Sequence, residues 1–386
     1  MISISELIEK VEKINPNNQK GTWKYIDIAS VDRFQKKIIL DNVSEITADS
    51  APSRARQLVF AGDIIISTVR PNLNTVAIVP KELDGAIAST GFCVLRPNNL
   101  KVDSKYLYHY VKSEAFVNSL VKLAIGANYP AVSDKIIKEQ RLKKSSLYEQ
   151  KKIAKILDKA EDIFHKRKLA IKLADNFLRA KFLEMFGTPA QNKHDFPKGT
   201  IRDLVDSVNY GTSAKASVNV GKYPILRMGN ITYQGGWDFT DLKYLDLNDK
   251  DKSKFLVEKG DLLFNRTNSK ELVGKTAVYE ADRPMAFAGY LIRIRPNSNG
   301  NNYYLSGFLN STHGKTTLTN MCKSIVGMAN INAQELQDIE ILIPPKNLQD
   351  EYERIYKKMS MELAIAERSA KQLQLLIETL ASKYFI

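Results

Sequence analysis

Short apolar runs rich in β-branched residues recur through most of the chain, among them Ile64–Ile66, Val76–Val79, Phe92–Leu95 and Leu262–Phe264. Runs of that length predict strands. Gly-Asp, Arg-Pro-Asn and Asn-Gly turns bound them, so each region reads as a mixed β-rich unit with one or two helices near its end. The period then changes. After Ser145-Ser146, the residues Ile153, Leu157, Ala160, Phe164, Ile171, Ala174 and Leu178 follow three-four spacing, with Arg167 interrupting the seam. A second, cleaner seam runs through Met359, Leu363, Ala366, Ala370, Leu373, Ile377, Leu380 and Tyr384. Neither stretch contains Pro or Gly, and about 36 helical residues span roughly 50 Å. A stripe this narrow cannot bury itself on a small domain, which predicts that the two helices pack on each other.

The same elements return in the same order about two hundred residues later. Tyr25-Ile26-Asp27-Ile28-Ala29-Ser30-Val31 matches the pattern of Ile225-Leu226-Arg227-Met228-Gly229-Asn230-Ile231, and Gly62-Asp63-Ile64-Ile65 matches Gly260-Asp261-Leu262-Leu263. Arg96-Pro97-Asn98 answers to Arg295-Pro296-Asn297, then Gly126 to Gly327 and Leu147 to Leu348. An ordered series at nearly constant offset argues for an internal duplication. The expected fold is therefore α+β: two tandem mixed α/β modules, each followed by a long helix, with the helices forming an antiparallel coiled coil of pseudo-two-fold symmetry and the modules at opposite ends. The expected boundaries are 1–145 for the first module, 146–186 for the central helix, 187–347 for the second module and 348–386 for the last helix. The competing arrangement packs each helix on its own module. The first module is expected to begin almost at residue 1, with no room for an extra N-terminal domain.

Charge adds a partner to this picture. The chain has 57 Lys and Arg against 43 Asp and Glu, net +14, a balance that suits a polyanion such as nucleic acid and suits a membrane surface less well. Residues 1–200 hold 33 basic and 22 acidic side chains, net +11, so a phosphate grip is expected to be uneven. Cys93 and Cys322 lie far apart and outside any CxxC pattern, there is no leader-like start and no run of about 20 apolar residues; a soluble, cytoplasmic protein without membrane attachment is expected.

Catalytic motifs are missing. Gly314-Lys315-Thr316 resembles the end of a phosphate-binding loop, but Leu309 stands where that loop needs Gly. His109, His165, His194 and His313 are scattered, with no metal-ligand partner at i+4. No Gly-rich dinucleotide loop, HExxH, G-x-S-x-G or Asn-Pro-Pro-aromatic motif occurs. A non-enzyme with no cofactor or metal of its own is the expectation, although a compact nuclease carboxylate cluster is too degenerate to exclude by sequence.

Polar loops leaving rigid strands offer the side chains that read base edges, Arg for guanine and Asn or Gln for adenine. In the first copy these are Arg70, Asn72 and Asn74; in the second, Arg266, Thr267, Asn268 and Lys270. Further candidates are Arg54, Arg56, Arg227 and Asn230, and the loops carrying Asn128, Tyr129 and Asn330. Each could equally be an ordinary turn residue. The central helix carries Lys151, Lys152, Lys155, Lys159, Lys166, Arg167, Lys168 and Lys172, either a solvated face or a surface for phosphates or a partner.

With the duplication, Tyr25-Ile26-Asp27-Ile28, the Leu58 to Ile65 stretch and its echo Leu256 to Leu263, Leu147-Tyr148-Glu149-Gln150, and Pro344-Pro345 before the last helix, the whole chain resembles the specificity subunits of type I restriction-modification systems. The resemblance implies two target recognition domains, each reading half of a bipartite site in double-stranded DNA. It also implies that the long helices act as a spacer and dock methyltransferase subunits, two of them, which bind S-adenosylmethionine, with restriction motor subunits joining through these. Two departures stand out: Lys143-Lys144 occupy the place of Pro344-Pro345, and Asp350-Glu351 that of Glu149-Gln150. The alternatives are a stand-alone DNA-binding nuclease or methyltransferase with a duplicated recognition region, and a basic coiled-coil protein without sequence preference.

Overall fold

The computed structural model describes residues 1–325 and 328–385, with side chains described outside 323–328. Gly327, matched above to Gly126, lies outside the described residues. The chain divides into two units, residues 1–168 with 368–386, and residues 169–367.

Each unit holds two four-stranded sheets, and the sheets of the two units share one topology. In the first unit one sheet orders Ile8–Glu9, Phe92–Pro97, Ile64–Ser67 and Val76–Ile78, all antiparallel. Its counterpart orders Val205–Tyr210, Leu291–Pro296, Leu262–Asn265 and Thr276–Val278. The other sheet runs Ser44–Thr47, Thr22–Ile26, Ala86–Ser89 and Ala55–Val59, with one parallel pairing, of Thr22–Ile26 with Ala86–Ser89. Its counterpart runs Lys243–Leu245, Tyr223–Leu226, Met285–Phe287 and Leu256–Val257, again with the inner pair parallel. The duplication is thus present strand by strand.

The two motifs that repeat in the sequence hold each other in the fold. Asp63 accepts from Arg96 Nη2 at 2.8 Å and from the Phe60 N–H at 2.9 Å, and Gly62 takes φ +92° to turn the chain into the strand. Asp261 likewise accepts from Arg295 Nε at 2.7 Å and from the Glu258 N–H at 2.8 Å, beside Gly260 at φ +95°. A positive φ favours glycine, and a buried carboxylate needs a charged donor, which explains why Gly-Asp and Arg-Pro-Asn recur together.

The long helices span Leu147–Phe186 and Lys346–Phe385, the second starting at Lys346 rather than 348. In the first unit Ala154 and Leu157 share a core with Leu380, Ala381 and Phe385; in the second, Phe182, Met185 and Phe186 share one with Leu348, Tyr352 and Tyr356. The start of each helix therefore meets the end of the other, and they run antiparallel as the seams predict. Each also packs on its module, so the two sequence arrangements coexist. Phe385 lies 5.2 Å from the Tyr106 ring, and Phe186 lies 4.7 Å from Tyr304, equivalent contacts one repeat apart.

The sequence alignment of the helix starts is corrected by two residues. The buried Gln150 amide donates to the Lys101 and Ser145 carbonyls, and the buried Gln349 amide donates to those of Asn299 and Pro344. Gln150 therefore corresponds to Gln349, and Ser145-Ser146 to Pro344-Pro345. Leu147 and Leu348, which suggested the other register, are only half-buried and do not define it. In this register both copies keep the glutamine, while Ser145-Ser146 stand opposite Pro344-Pro345 and Glu149 opposite Leu348.

Candidate nucleic-acid interface

In each module the loop that leaves the Gly-Asp strand lies beside the segment following the second module helix, about sixty residues further on. In the first module Val69 bridges Ala131, Thr68 accepts from the Val132 N–H at 2.9 Å, and the Arg70 N–H donates to the Pro130 carbonyl at 2.6 Å. In the second, Thr267–Asn268 pairs with Met328–Asn330, Thr267 Oγ1 donates to Asn330 Oδ1 at 2.9 Å, and the Ile331 N–H donates to the Arg266 carbonyl at 2.9 Å. Two loops about sixty residues apart in the sequence thus make one surface in each copy.

Both surfaces present an arginine laid on a tyrosine. Arg70 sits 4.4 Å over the exposed Tyr129 ring, and Arg266 sits 4.8 Å over the Tyr210 ring. Stacking limits the guanidinium's freedom while keeping its edge available to an acceptor. Arg70 and Asn74 hold φ of +50° and +47°, left-handed values that few side chains adopt, so the first loop is kept in a strained shape by its surroundings. Two of its anchors are visible: Asn74 Nδ2 donates to the Lys112 carbonyl at 2.9 Å, and the Lys36 ammonium donates to the Asn74 carbonyl. Burial, reinforced by the nearby Lys112 charge, pushes Lys36 down to about 8. In the second module the Gly274 N–H closes the loop onto the Asn265 carbonyl, and the Lys315 ammonium donates at 3.0 Å to the Gly274 carbonyl.

The structure thus brings Arg70 to Tyr129, and Arg266, Thr267 and Asn268 to Asn330. Asn72, Asn128 and Lys270 are exposed on the same loops, whereas Asn74 serves as an anchor. The remaining candidates belong to the other sheet of each module: Arg56 lies on its Ala55–Val59 strand with Arg54 just before it, and Arg227 and Asn230 follow its Tyr223–Leu226 strand. Arg54 is exposed; Arg56 donates to its neighbour's carbonyl, at Ala55. Arg227 is paired with Asp241 at 2.8 Å. Asn230 is 2% exposed, and its amide is spent on the Asp238 and Asp241 carbonyls, so it shapes a turn instead of facing outward. Tyr210 was missed because nothing local marks it: its ring meets Arg266 only through the sheet pairing. The exposed Phe34, with Arg33 at 4.8 Å, was missed as well, although an aromatic beside Arg in a turn is a usable signal.

All eight basic residues named on the central helix are exposed. Among the described residues no cluster of three His, Cys, Asp or Glu could hold a metal ion, and no helix is long and apolar enough to cross a membrane. His109 is buried, with Nε2 at 2.8 Å from Asp158.

The family described as type I restriction modification DNA specificity domain matches residues 2–173 and again 193–375, once for each copy. The chain belongs to this family. It is similar to the EcoKI specificity subunit of Escherichia coli K12, with 25% identity over 297 residues, 73% of this chain and 63% of that protein. It is also similar to the StySPI specificity subunit of Salmonella potsdam, with 26% identity over 304 residues and the same two shares. The chain therefore spans less than two thirds of the length of these curated relatives. Two solved structures share the family fold at a TM-score of 0.61. One, at 22% identity and covering 99% of this chain and 96% of its own, comes from work on assembly and conformational transition of the type I R-M system. The other is the type I S subunit of M. genitalium, at 15% identity, covering 100% of this chain and 95% of its own.

Proposed function

We propose that this chain is the sequence-reading subunit of a type I restriction-modification complex and performs no chemistry itself. The observation that carries this reading is the repeated surface in which an Arg stacked on a Tyr stands on paired loops, once per module, with Asn72 and Asn128 exposed beside it in the first and Lys270 and Asn330 in the second. Lysines and arginines outside the loops supply salt-sensitive affinity for phosphates, and the loop side chains discriminate bases. Each module reads one half of a split DNA site. The antiparallel helices keep the half-sites in register and dock modification subunits, whose bound S-adenosylmethionine methylates adenine; restriction subunits join through them. In this reading the protein acts on DNA in the cytoplasm.

The test is methylation of a random DNA library by the chain assembled with its modification subunits, followed by mapping of N6-methyladenine. A two-part motif with a constant gap is expected. A single continuous motif, or methylation without any motif, would overturn the reading, and turnover by the purified chain alone would restore the stand-alone enzyme.

A further inference from the structure

The second unit contains an open cleft of about 300 Å³ lined by Arg179, Tyr233, Thr312, Lys315, Thr316, Thr319 and Asn320. Its positive charge is out of balance. The Lys315 ammonium lies 5.4 Å from the Tyr233 ring and has one hydrogen bond, to the Gly274 carbonyl, with no carboxylate partner among the described residues. Arg179 spends Nε on Asp175 at 3.1 Å and one N–H on the Asn310 carbonyl, and its other N–H groups have no protein partner among the described residues. Burial, with the Arg179 and Lys275 charges added, holds Lys315 down at about 8. The hydroxyls of Thr316 and Thr319 donate back to helix carbonyls, at Thr312 and Lys315, which leaves Tyr233, Thr312 and Asn320 as the neutral donors.

The fold does not require these cations. Ser113 and Ser311 cap equivalent helices, and from them Lys315 corresponds to Val117 and Thr312 to Glu114. Phe186 and Phe385 occupy equivalent contacts, which places Glu378 where the second copy has Arg179. One copy of the same scaffold thus carries a carboxylate and an apolar side chain at the two positions where the other carries two cations. A half-buried lysine without a counter-charge costs stability; an anion in the cleft would offset that cost.

We propose that this cleft binds one phosphodiester of the DNA backbone, clamped between Lys315 and Arg179, beside the loop that carries Arg266, Thr267 and Asn268. The proposal rests on the DNA-reading function above and adds a contact that is specific to the second module and indifferent to sequence. Arg and Lys together suit a phosphate, the first by its fork and the second as a point charge.

The experiment measures binding of the full chain to a duplex carrying its mapped site, and to duplexes with either half-site scrambled, across a salt series. Lys315→Met is expected to fold, because the first module has Val at that place, and to melt no lower than the parent chain. It should weaken binding to all three duplexes by a similar factor and lower the slope of log K against log salt by about 1. Lys315→Arg should restore the slope. An unchanged slope with specific binding intact overturns the phosphate clamp and leaves the reading function standing. Loss confined to the second half-site also overturns it, since that is the signature of loop anchoring through Gly274. Failure of the parent chain to distinguish the mapped site removes the reading function and this proposal together. Inorganic phosphate at millimolar concentration serves as a second probe: if it raises the melting temperature of the parent but not of Lys315→Met while the salt slope is unchanged, the site takes a free anion and the DNA assignment falls.

Discussion

Replacing Asp63 with alanine removes the acceptor that ties the Gly-Asp turn to the neighbouring strand. The carboxylate is 3% exposed and accepts from Arg96 Nη2 at 2.8 Å, from Arg96 Nε at 3.1 Å and from the Phe60 N–H at 2.9 Å. Breaking a buried pair by removing one partner costs about 3–5 kcal/mol. Arg96 is 15% exposed, keeps its bond to the Leu58 carbonyl at 3.0 Å and lies 4.6 Å over the Phe60 ring, which argues for the lower end, about 3 kcal/mol. With a urea slope of about 2 kcal/mol/M for one unit, the midpoint should fall by about 1.5 M. The chain has two tryptophans, Trp23 in the first unit and Trp237 in the second. Fluorescence in a Trp237→Phe background therefore follows the first unit and in a Trp23→Phe background the second. The shift should be seen by Trp23. A shift below about 0.5 M there, or an equal shift at Trp237, would refute the assignment of this pair as a local clamp. Asp63→Leu with Arg96→Met removes both charges and should recover most of the loss.

Gly307 has room for no side chain: an added Cβ would meet Phe182 Cδ2 at 2.5 Å and Tyr352 Cε1 at 2.9 Å, so Gly307→Ala should destabilise the second unit by about 1–3 kcal/mol in the same urea assay. Glu161 feels burial, which raises its pKa, but His109 and Lys112 outweigh it and hold the carboxyl at about 2, below its ordinary 4.5. Its contribution is complete above pH 4.5 and is lost as pH falls toward 2, about 3 kcal/mol in all, so Glu161→Gln should flatten the pH dependence of the Trp23 urea midpoint in that window. Arg70→Ala should relax one base position of one half-site by about 1–3 kcal/mol, measured by competition binding, while the other half-site is unaffected. A loss shared by both halves would show that Arg70 touches phosphate instead.

What the sequence revealed and what it concealed follow from the range of the forces involved. Gly62 and Gly260 answer to a backbone angle, and Asp63 and Asp261 to the arginine one motif away, so the repeat shows directly in residue types. The seams were readable because every seam position of the last helix from Met359 to Tyr384 is buried or half-buried. Leu147 against Leu348 misled because an apolar residue near a helix start carries little positional meaning, whereas the buried Gln150 and Gln349 are fixed by the carbonyls they must satisfy. Asn230 looked like a reader because a turn asparagine and a base-reading asparagine have the same letter; burial alone separates them. The union of each strand-exit loop with a loop sixty residues away, and the ring of Tyr210 under Arg266, depend on tertiary pairing with no local trace. Nor does the sequence show that each long helix is shared between units: the seam of the last helix continues without a break, and Arg167, which interrupts the other beside the boundary, does not by itself mark a change of unit.

That sharing has a consequence for how the protein is made. The second unit is one unbroken stretch, residues 169–367, while the first is completed by residues 368–386. Phe385 is 2% exposed against Tyr106 and Tyr110, so the first module emerges from the ribosome long before the ring that closes its core. Contacts of such sequence separation form slowly. The module synthesised first should be the last to become stable, and a chain cut short after residue 367 should lose its first half rather than its second.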